Sequence, residues 1–409
     1  MNRKNSVCAE FFLCFGSIDT YEVINMKIFK LVSMFLLISI LFGAFSVLAS
    51  AVTVKDATLE LSGKSALLMD ANTGTVLYEK NADERLAPAS VTKIMTLLLV
   101  FEAIEAGSLK LEDILTVSEN AASMGGSQIY LEPGEQMSAN ELIKSVVVAS
   151  ANDAALTLAE HVCGSEESFV EAMNRRADEL GMTNTHFENV TGLDDDTVNH
   201  LTTAKDIALM SRELLKHEKI TEYTTIWMDT VRNGEFGITN TNRLVRFYRG
   251  ITGLKTGSTS KAGFCISASA KRDNLHLIAV IMGAETSDAR NASVAKLLDF
   301  GFANYSVYVN ETEPTEKIQV YGGINDYVET TYNKFETLTN KGDNTKITRN
   351  IEMNDFVTAP VKNGDVVGKI IYKNGDEIIG ETDIYCINDV DKISFWQYVT
   401  KMFKNFLLK

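Results

Sequence analysis

The chain has 409 residues, enough for two or three domains, and its 45% hydrophobic and 23% charged content is that of an ordinary globular protein. A formal net charge of −15 argues against nucleic acid as a partner. Of the five cysteines, Cys8 and Cys14 lie at the extreme N-terminus; Cys163, Cys265 and Cys386 are scattered and odd in number. That excludes a disulfide framework and leaves buried free thiols as the default.

In chain order, residues 27–51 come first as a recognisable unit. Lys27 and Lys30 precede the apolar run Leu31–Leu48, which ends at Ala49-Ser-Ala51. This is the order of a secretory signal peptide, and cleavage after Ala51 is the preferred reading. The alternative is a retained membrane helix, since the 18 residues Leu31–Leu48 could just span a bilayer. Residues 1–25, with Glu10, Asp19 and Glu22, do not suit an n-region, so Met26 reads as the true start. The segment through Ala51 carries four Lys/Arg and three Asp/Glu; its loss takes the net charge from −15 to −16.

Ser65–Asp70 and Thr75–Glu79 flank Ala71-Asn-Thr-Gly74 and predict a hairpin. Helices are expected over Ser90–Ala106, stopped by Gly107, and over Glu141–Ala149. Ser165–Leu180 comes next, capped by Ser165 with Gly181 past its end, and then Thr203–His217. Gly263–Ala270 and Leu275–Gly283 read as paired strands and Asp288–Phe302 as a closing helix. Strands at both ends with helices between predict one α/β domain, its sheet joining the N-terminal hairpin to the late strands.

After about residue 308 the pattern changes. Ile318–Tyr321, Tyr327–Tyr332, Thr345–Glu352, Val366–Tyr372 and Asp376–Ile384 are short strand-like runs. Turns such as Lys362-Asn-Gly364 and Lys373-Asn-Gly375 separate them, predicting a small all-β domain. In the tail, Ile393–Lys409, Phe395, Trp396, Val399, Met402, Phe403, Phe406 and Leu407 form an apolar stripe flanked by Lys401, Lys404 and Lys409. It reads as an interfacial membrane anchor, with a helix packed on the β domain as the alternative. The expected divisions are 1–51, 52–308, 309–390 and 391–409.

The chemistry centres on Pro88-Ala-Ser-Val-Thr-Lys-Ile-Met-Thr96. Ser90 and Lys93 stand three apart at the start of a helix and share a face. The adjoining run, Ile94–Val100, is almost wholly apolar, so the helix is buried. A lysine held there loses solvation, its pKa falls, and it can serve as a base beside an activated serine. Ser258-x-x-Lys261 and Ser293-x-x-Lys296 match the same spacing. Ser90 is singled out by two later motifs in order: Ser150-Ala-Asn152 at the end of an apolar helix, and Lys255-Thr-Gly257, which occurs once. Ser118-Glu-Asn120 and Ser138-Ala-Asn140 repeat the S-x-N pattern, but Ser138 directly precedes a helix and is sufficiently explained as an N-cap.

The ordered trio S-x-x-K, S-x-N and K-T-G resembles that of the serine-type D-alanyl-D-alanine carboxypeptidases, the low-molecular-mass penicillin-binding proteins. Thr73–Asp83 leading to Pro88-Ala-Ser90, Phe187–Leu193, Gly253–Gly257, Lys261–Phe264 and Ile281-Met-Gly283 through Arg290 to Asp299–Phe302 are similar to family segments. The resemblance covers residues 56–308 closely and the rest in type. It implies the penicillin-binding-protein/β-lactamase-like transpeptidase fold, an antiparallel sheet with a helical lobe, followed by the all-β domain and the amphipathic helix.

It further implies that Ser90 attacks the carbonyl between two terminal D-alanines to form an acyl-enzyme. Lys93 would take the serine proton, kept neutral with help from Lys255, and Ser150 would relay a proton to the leaving amine. Asn152 would offer its amide to the substrate backbone. Gly257 would leave room for substrate beside an edge strand. Thr256 and Arg290 would bind the terminal carboxylate, although an arginine on a helix is otherwise a common surface ion-pair former. The N–H groups of Ser90 and Ser258 would form the oxyanion hole. Ser258 stands where many relatives carry histidine or tyrosine, and the likeness weakens around Asp194-Asp-Asp196.

The expected partners are a peptidoglycan stem peptide ending in D-Ala-D-Ala, β-lactams as covalent inhibitors, and a membrane surface through the C-terminal helix. The expected place is the outer face of the cell membrane, facing the wall. No cofactor is expected, and the five histidines lack metal-ligand spacing such as H-E-x-x-H. A β-lactamase is the nearest rival, but no Glu-x-x-Leu-Asn string lies between Asn152 and Lys255 to supply a deacylating base. A penicillin sensor that acylates without turnover is the non-enzyme rival.

Overall fold

A computed structural model describes residues 59–194 and 197–407. The expected signal peptide, and Asp195 and Asp196, lie outside the described residues.

Five antiparallel strands form the central sheet, in the order Val76–Lys80, Ser65–Asp70, Leu275–Ala284, Gly263–Arg272, Ile251–Thr259. The N-terminal hairpin does join the late strands, with Ala66 opposite Ile281 and Leu68 opposite Ala279. Every residue of Ser65–Asp70 is buried, because both faces of the sheet are covered. Strand alternation divides its side chains. Ala66 and Leu68 pack with Val294, Leu297 and Leu298 of the closing helix Ser287–Asn304. Leu67 and Met69 turn to the larger core shared with the helical lobe.

The lobe holds the helices Lys93–Glu105, Ala139–Val148, Asn152–Cys163, Glu166–Glu179 and Ala204–Leu214. Ser138, Ser165 and Thr203 each accept a bond from a backbone N–H three residues on, so these N-caps set where their helices begin. Ser118 does the same for the short helix Glu119–Ala122. Both competing S-x-N serines are therefore caps. The helix Asn152–Cys163 is absent from the sequence expectation. Only three residues separate it from the helix before it, and its first eight positions are buried, leaving no polar face to betray a period. A hairpin, Met228–Val231 with Phe236–Thr239, is likewise unexpected.

Beyond the closing helix the chain is all-β, as expected. A four-stranded sheet runs Thr330–Tyr332, Glu377–Cys386, Val366–Asn374, Ile347–Met353. Ile318, Val320, Tyr332, Ile370, Tyr372 and Ile384 fill its core. The strand Tyr305–Asn310, which leaves the closing helix directly and pairs with Phe335–Asn340, runs across position 308. Cys265 and Cys386 are buried free thiols, whereas Cys163 is partly exposed.

The tail forms the helix Phe395–Leu407. Phe395, Trp396, Met402 and Phe403 are exposed, with Trp396 at 76%. Lys401 does not flank the stripe freely, because its amine pairs with Asp326 at 2.5 Å and bonds Ile324 O at 3.1 Å. The side chains of Lys404, Phe406, Leu407 and Lys409 lie outside the described residues. No described helix is long and apolar enough to cross a membrane.

Candidate active site

Ser90 does not lie on the α-helix itself. It sits in a 3-10 turn, Ala89–Thr92, and the α-helix begins at Lys93. Ala89, just before it, has φ +48, a left-handed conformation that alanine rarely adopts. Lys93 is fully buried, its Nζ 3.0 Å from Ser90 Oγ and 2.9 Å from the carbonyl of Thr191. Burial holds the Lys93 amine well below the ordinary lysine range; the charge of Lys255 pushes the same way and Asp153 opposes. An amine whose pKa is lowered thus touches a hydroxyl, which is the arrangement of a base and a nucleophile. In neither competing S-x-x-K pair do the two side chains bond each other: Ser293 Oγ accepts from Ser62 N–H and Lys296 reaches Glu60 O, while the Lys261 amine bonds Thr197 O.

Lys255, on the strand Ile251–Thr259, is also buried. Its Nζ lies 2.9 Å from Ser150 Oγ and 2.9 Å from Thr256 O. Burial, then the charge of Arg290, lowers its pKa to about 7. Ser150 occupies the break between two helices at φ +62, which turns its hydroxyl toward this second lysine. Two serine–lysine pairs therefore stand together.

Asn152 opens the helix after that break. Its amide NH₂ already donates to Gly125 O at 2.7 Å, while its Oδ1 is buried with no partner. The half of the amide left open is an acceptor. Asp153 beside it accepts from Ile129 N and Leu131 N at 3.1 and 3.0 Å, which ties that segment to the same helix.

Gly257 packs against the nucleophile turn. A Cβ there would lie 2.7 Å from Ser90 N, 2.8 Å from Pro88 O and 2.9 Å from Val91 N. The glycine makes room for the backbone of the nucleophile turn. Thr256 Oγ1 donates to Thr241 Oγ1 at 2.7 Å.

A cleft of about 580 Å³ opens at this point. Ser90, Ser150, Thr256, Gly257, Ser258 and Arg290 all line it; Lys93, Asn152 and Lys255 are buried. Arg290, 5% exposed, is no surface ion-pair former. It donates to Asn291 Oδ1 and Cys265 O, and among the described residues no carboxylate pairs with it. Burial lowers its pKa to about 10, so it remains a cation at neutral pH.

Sequence reasoning misses part of the lining, notably Trp227, Asn240 and Thr241. These come from the unexpected hairpin and its flanks, where no motif flags them. Thr191 serves through its carbonyl, which side-chain patterns cannot reveal. Its segment Phe187–Leu193 is one of the family-like stretches, and the structure supplies the reason. Val190 O accepts from Thr96 Oγ1, Thr191 O accepts from Lys93, and a Cβ on Gly192 would lie 1.9 Å from Ala89 O. Asp194 accepts from Thr259 Oγ1, tying the far end of this loop to the end of the Lys255 strand.

Comparison with known proteins accords with this geometry. Residues 50–286 match the D-alanyl-D-alanine carboxypeptidase family, and residues 302–392 match the C-terminal domain of penicillin-binding protein 5. The D-alanyl-D-alanine carboxypeptidase DacF of Bacillus subtilis (strain 168) is 43% identical over 375 residues, 90% of this chain and 96% of that protein. Penicillin-binding protein 5 from Haemophilus influenzae superposes with a TM-score of 0.68 at 30% identity, over 83% of this chain and all of that one. Penicillin-binding protein D2 from Listeria monocytogenes, solved in its ampicillin-bound form, gives a TM-score of 0.56 at 32% identity, over 60% of this chain and all of that one. With a serine held on a buried lysine, a second serine–lysine pair beside it and the family's two regions in order, the chain belongs to the D-alanyl-D-alanine carboxypeptidases, the penicillin-binding hydrolases of the peptidoglycan stem peptide.

Proposed function

We propose that Ser90 is the nucleophile with which this carboxypeptidase removes the terminal D-alanine from a pentapeptide stem. The 3.0 Å contact between Lys93 Nζ and Ser90 Oγ carries the reading. As Oγ bonds the penultimate carbonyl carbon, its proton passes to the neutral Lys93 amine. Negative charge gathers on the carbonyl oxygen, facing the N–H groups of Ser90 and Ser258. Collapse breaks the peptide bond; the leaving nitrogen takes a proton from Ser150, which Lys255 resupplies at 2.9 Å. Lys93 then passes its proton through Ser150 to Lys255, which restores both amines; water attacks the ester as its proton goes to Lys93, and Lys93 returns that proton to the departing Ser90 oxygen, freeing the shortened peptide. A lysine with pKa about 7 is well matched to giving and regaining a proton near neutrality.

Asn152 Oδ1 accepts an N–H of the substrate backbone, which would satisfy its orphaned oxygen. Thr256 and the unpaired cation of Arg290 receive the terminal carboxylate. β-Lactams acylate the same serine. A chain division near 308 and 390 separates the catalytic domain from the β domain and the tail. The protein is exported by the segment ending at Ala51 and works outside the membrane, with the exposed face of Phe395, Trp396, Met402 and Phe403 lying in the lipid interface.

The test is release of free D-alanine from a pentapeptide by the purified protein, beside labelling by a fluorescent penicillin. Steady release with loss of both signals in Ser90→Ala is expected. Penicillin hydrolysis outpacing peptide cleavage would indicate a β-lactamase. A single burst without turnover would indicate a sensor, and labelling of Ser90→Ala would sink the nucleophile.

A further inference from the structure

The peptide unit joining Ala89 to Ser90 is held at both ends. Its nitrogen lies against Gly257, where even one added carbon would stand 2.7 Å from Ser90 N. Its carbonyl, Ala89 O, accepts from Thr92 Oγ1 at 2.9 Å, and a Cβ on Gly192 would come within 1.9 Å of it. Ala89 adopts φ +48, a left-handed conformation that is unfavourable for an L-residue and persists only where the surroundings enforce it.

Behind Thr92 stands a buried histidine that the catalytic reading leaves unused. His200 Nε2 is 2.8 Å from Thr92 Oγ1, and His200 Nδ1 accepts from Glu188 N–H at 3.0 Å. A backbone N–H can only donate, so Nδ1 is unprotonated and the neutral ring carries its proton on Nε2. Nε2–H therefore donates to Thr92 Oγ1. That leaves the Thr92 hydroxyl proton for Ala89 O. Each link in Glu188 N–H, His200, Thr92, Ala89 O has one assignment. The ring is 2% exposed and packed by the edge of Phe187 at 5.7 Å. Burial holds its pKa at about 4, so it stays neutral at working pH.

We propose that His200, acting through Thr92, is a positioning residue that sets the plane of the Ala89–Ser90 peptide and so aims the Ser90 N–H at the oxyanion. A peptide unit is planar with its O and N–H opposed, so fixing Ala89 O fixes the direction of the Ser90 N–H. The loop that supplies Glu188 and Gly192 also supplies the Thr191 carbonyl to Lys93. One cradle thereby orients both the base and the oxyanion donor. The proposal rests on the reading of Ser90 as nucleophile.

The experiment uses the full chain and the near-isosteric Thr92→Val, with Thr92→Ser as the conservative control. Acylation by a chromogenic cephalosporin is followed in the pre-steady state and normalised to folded protein. Removing an oxyanion donor costs about 10²–10³ in rate, so mis-setting one should cost Thr92→Val about 10-fold or more. The half-saturating concentration should stay within about twofold, because only the transition state carries the oxyanion. Thr92→Ser should restore the rate. A peptide boronic acid, whose boronate oxygen occupies the oxyanion position, should lose affinity in step with the rate. His200→Ala should lose rate likewise; if it does not fold, Thr92→Val still decides. A Thr92→Val enzyme that acylates at the wild-type rate, or one that loses binding instead of rate, overturns the proposal. Ser90→Ala separates the two ideas: if it is silent while Thr92→Val is normal, only the positioning role falls, and if it is labelled, the nucleophile reading falls.

Discussion

Gly257 stands directly against the backbone of Ser90: a Cβ on the glycine would lie 2.7 Å from the serine nitrogen and 2.8 Å from Pro88 O. Backbone atoms cannot swing aside as a side chain can, so Gly257→Ala must part the strand from the nucleophile turn. Acylation by penicillin is expected to fall by about 10²–10³, the scale of a lost oxyanion contact, with the fold retained. Stopped-flow acylation beside circular dichroism checks it; a near-normal rate would mean that the turn tolerates the shift.

Lys93→Arg keeps a cation but not a base, since guanidinium stays protonated. The substitution should slow acylation by at least about 10², the usual size of a lost general base. A rate within a few-fold of normal would require another proton acceptor for Ser90.

Arg290 lines the cleft with no carboxylate paired to it among the described residues. Arg290→Ala should therefore reduce turnover of a peptide with a free C-terminal carboxylate more than acylation by an uncharged ester. Equal losses in the two assays would make Arg290 structural.

Buried titratable groups give stability a defined pH dependence. Lys255 falls from an ordinary 10.5 to about 7 through burial and then Arg290. Between those values the unfolded chain binds a proton that the folded protein does not, so this site makes stability rise with pH from about 7 to 10.5. His200 and His276, both lowered by burial from 6.5 to about 4, act with the same sign: stability is lost as pH falls through that interval. Denaturant titrations of wild type and Lys255→Met at pH values of about 7 and about 9.5 should show the variant gaining less from the alkaline shift. An equal gain would place the lysine's charge in solvent.

The tail offers a physical separation. Lys401 is engaged by Asp326 and the carbonyl of Ile324, while Trp396 and Phe403 are 76% and 64% exposed. A chain ended after Ser394 keeps the bonds of Ile324 N–H to Asp391 O and of Ile393 N–H to Gly322 O. It should remain active but no longer float with anionic vesicles, whereas the intact protein should bind them, less firmly in high salt. Flotation of the shortened protein would assign the stripe to packing on the β domain.

Local order was legible in the residues because it rests on local physics. The apolar run Ser65–Asp70 beside its turn, the cap Ser165, the helix opening at Thr203 and the closely turned strands after 308 all depend on near neighbours. So did the trio that brought Ser90, Lys93, Ser150 and Lys255 into consideration, since each motif is a short run. Residue order could not state which partner each side chain meets across the fold. Only tertiary packing brings Lys255 to Ser150 across 105 positions and the Thr191 carbonyl to Lys93 across 98. Packing alone seats Gly257 against the Ser90 turn and leaves the Asn152 oxygen buried without a partner. His200 lay outside every motif, because a histidine that orients a peptide plane through a threonine acts by distance and direction, and neither is written in residue order.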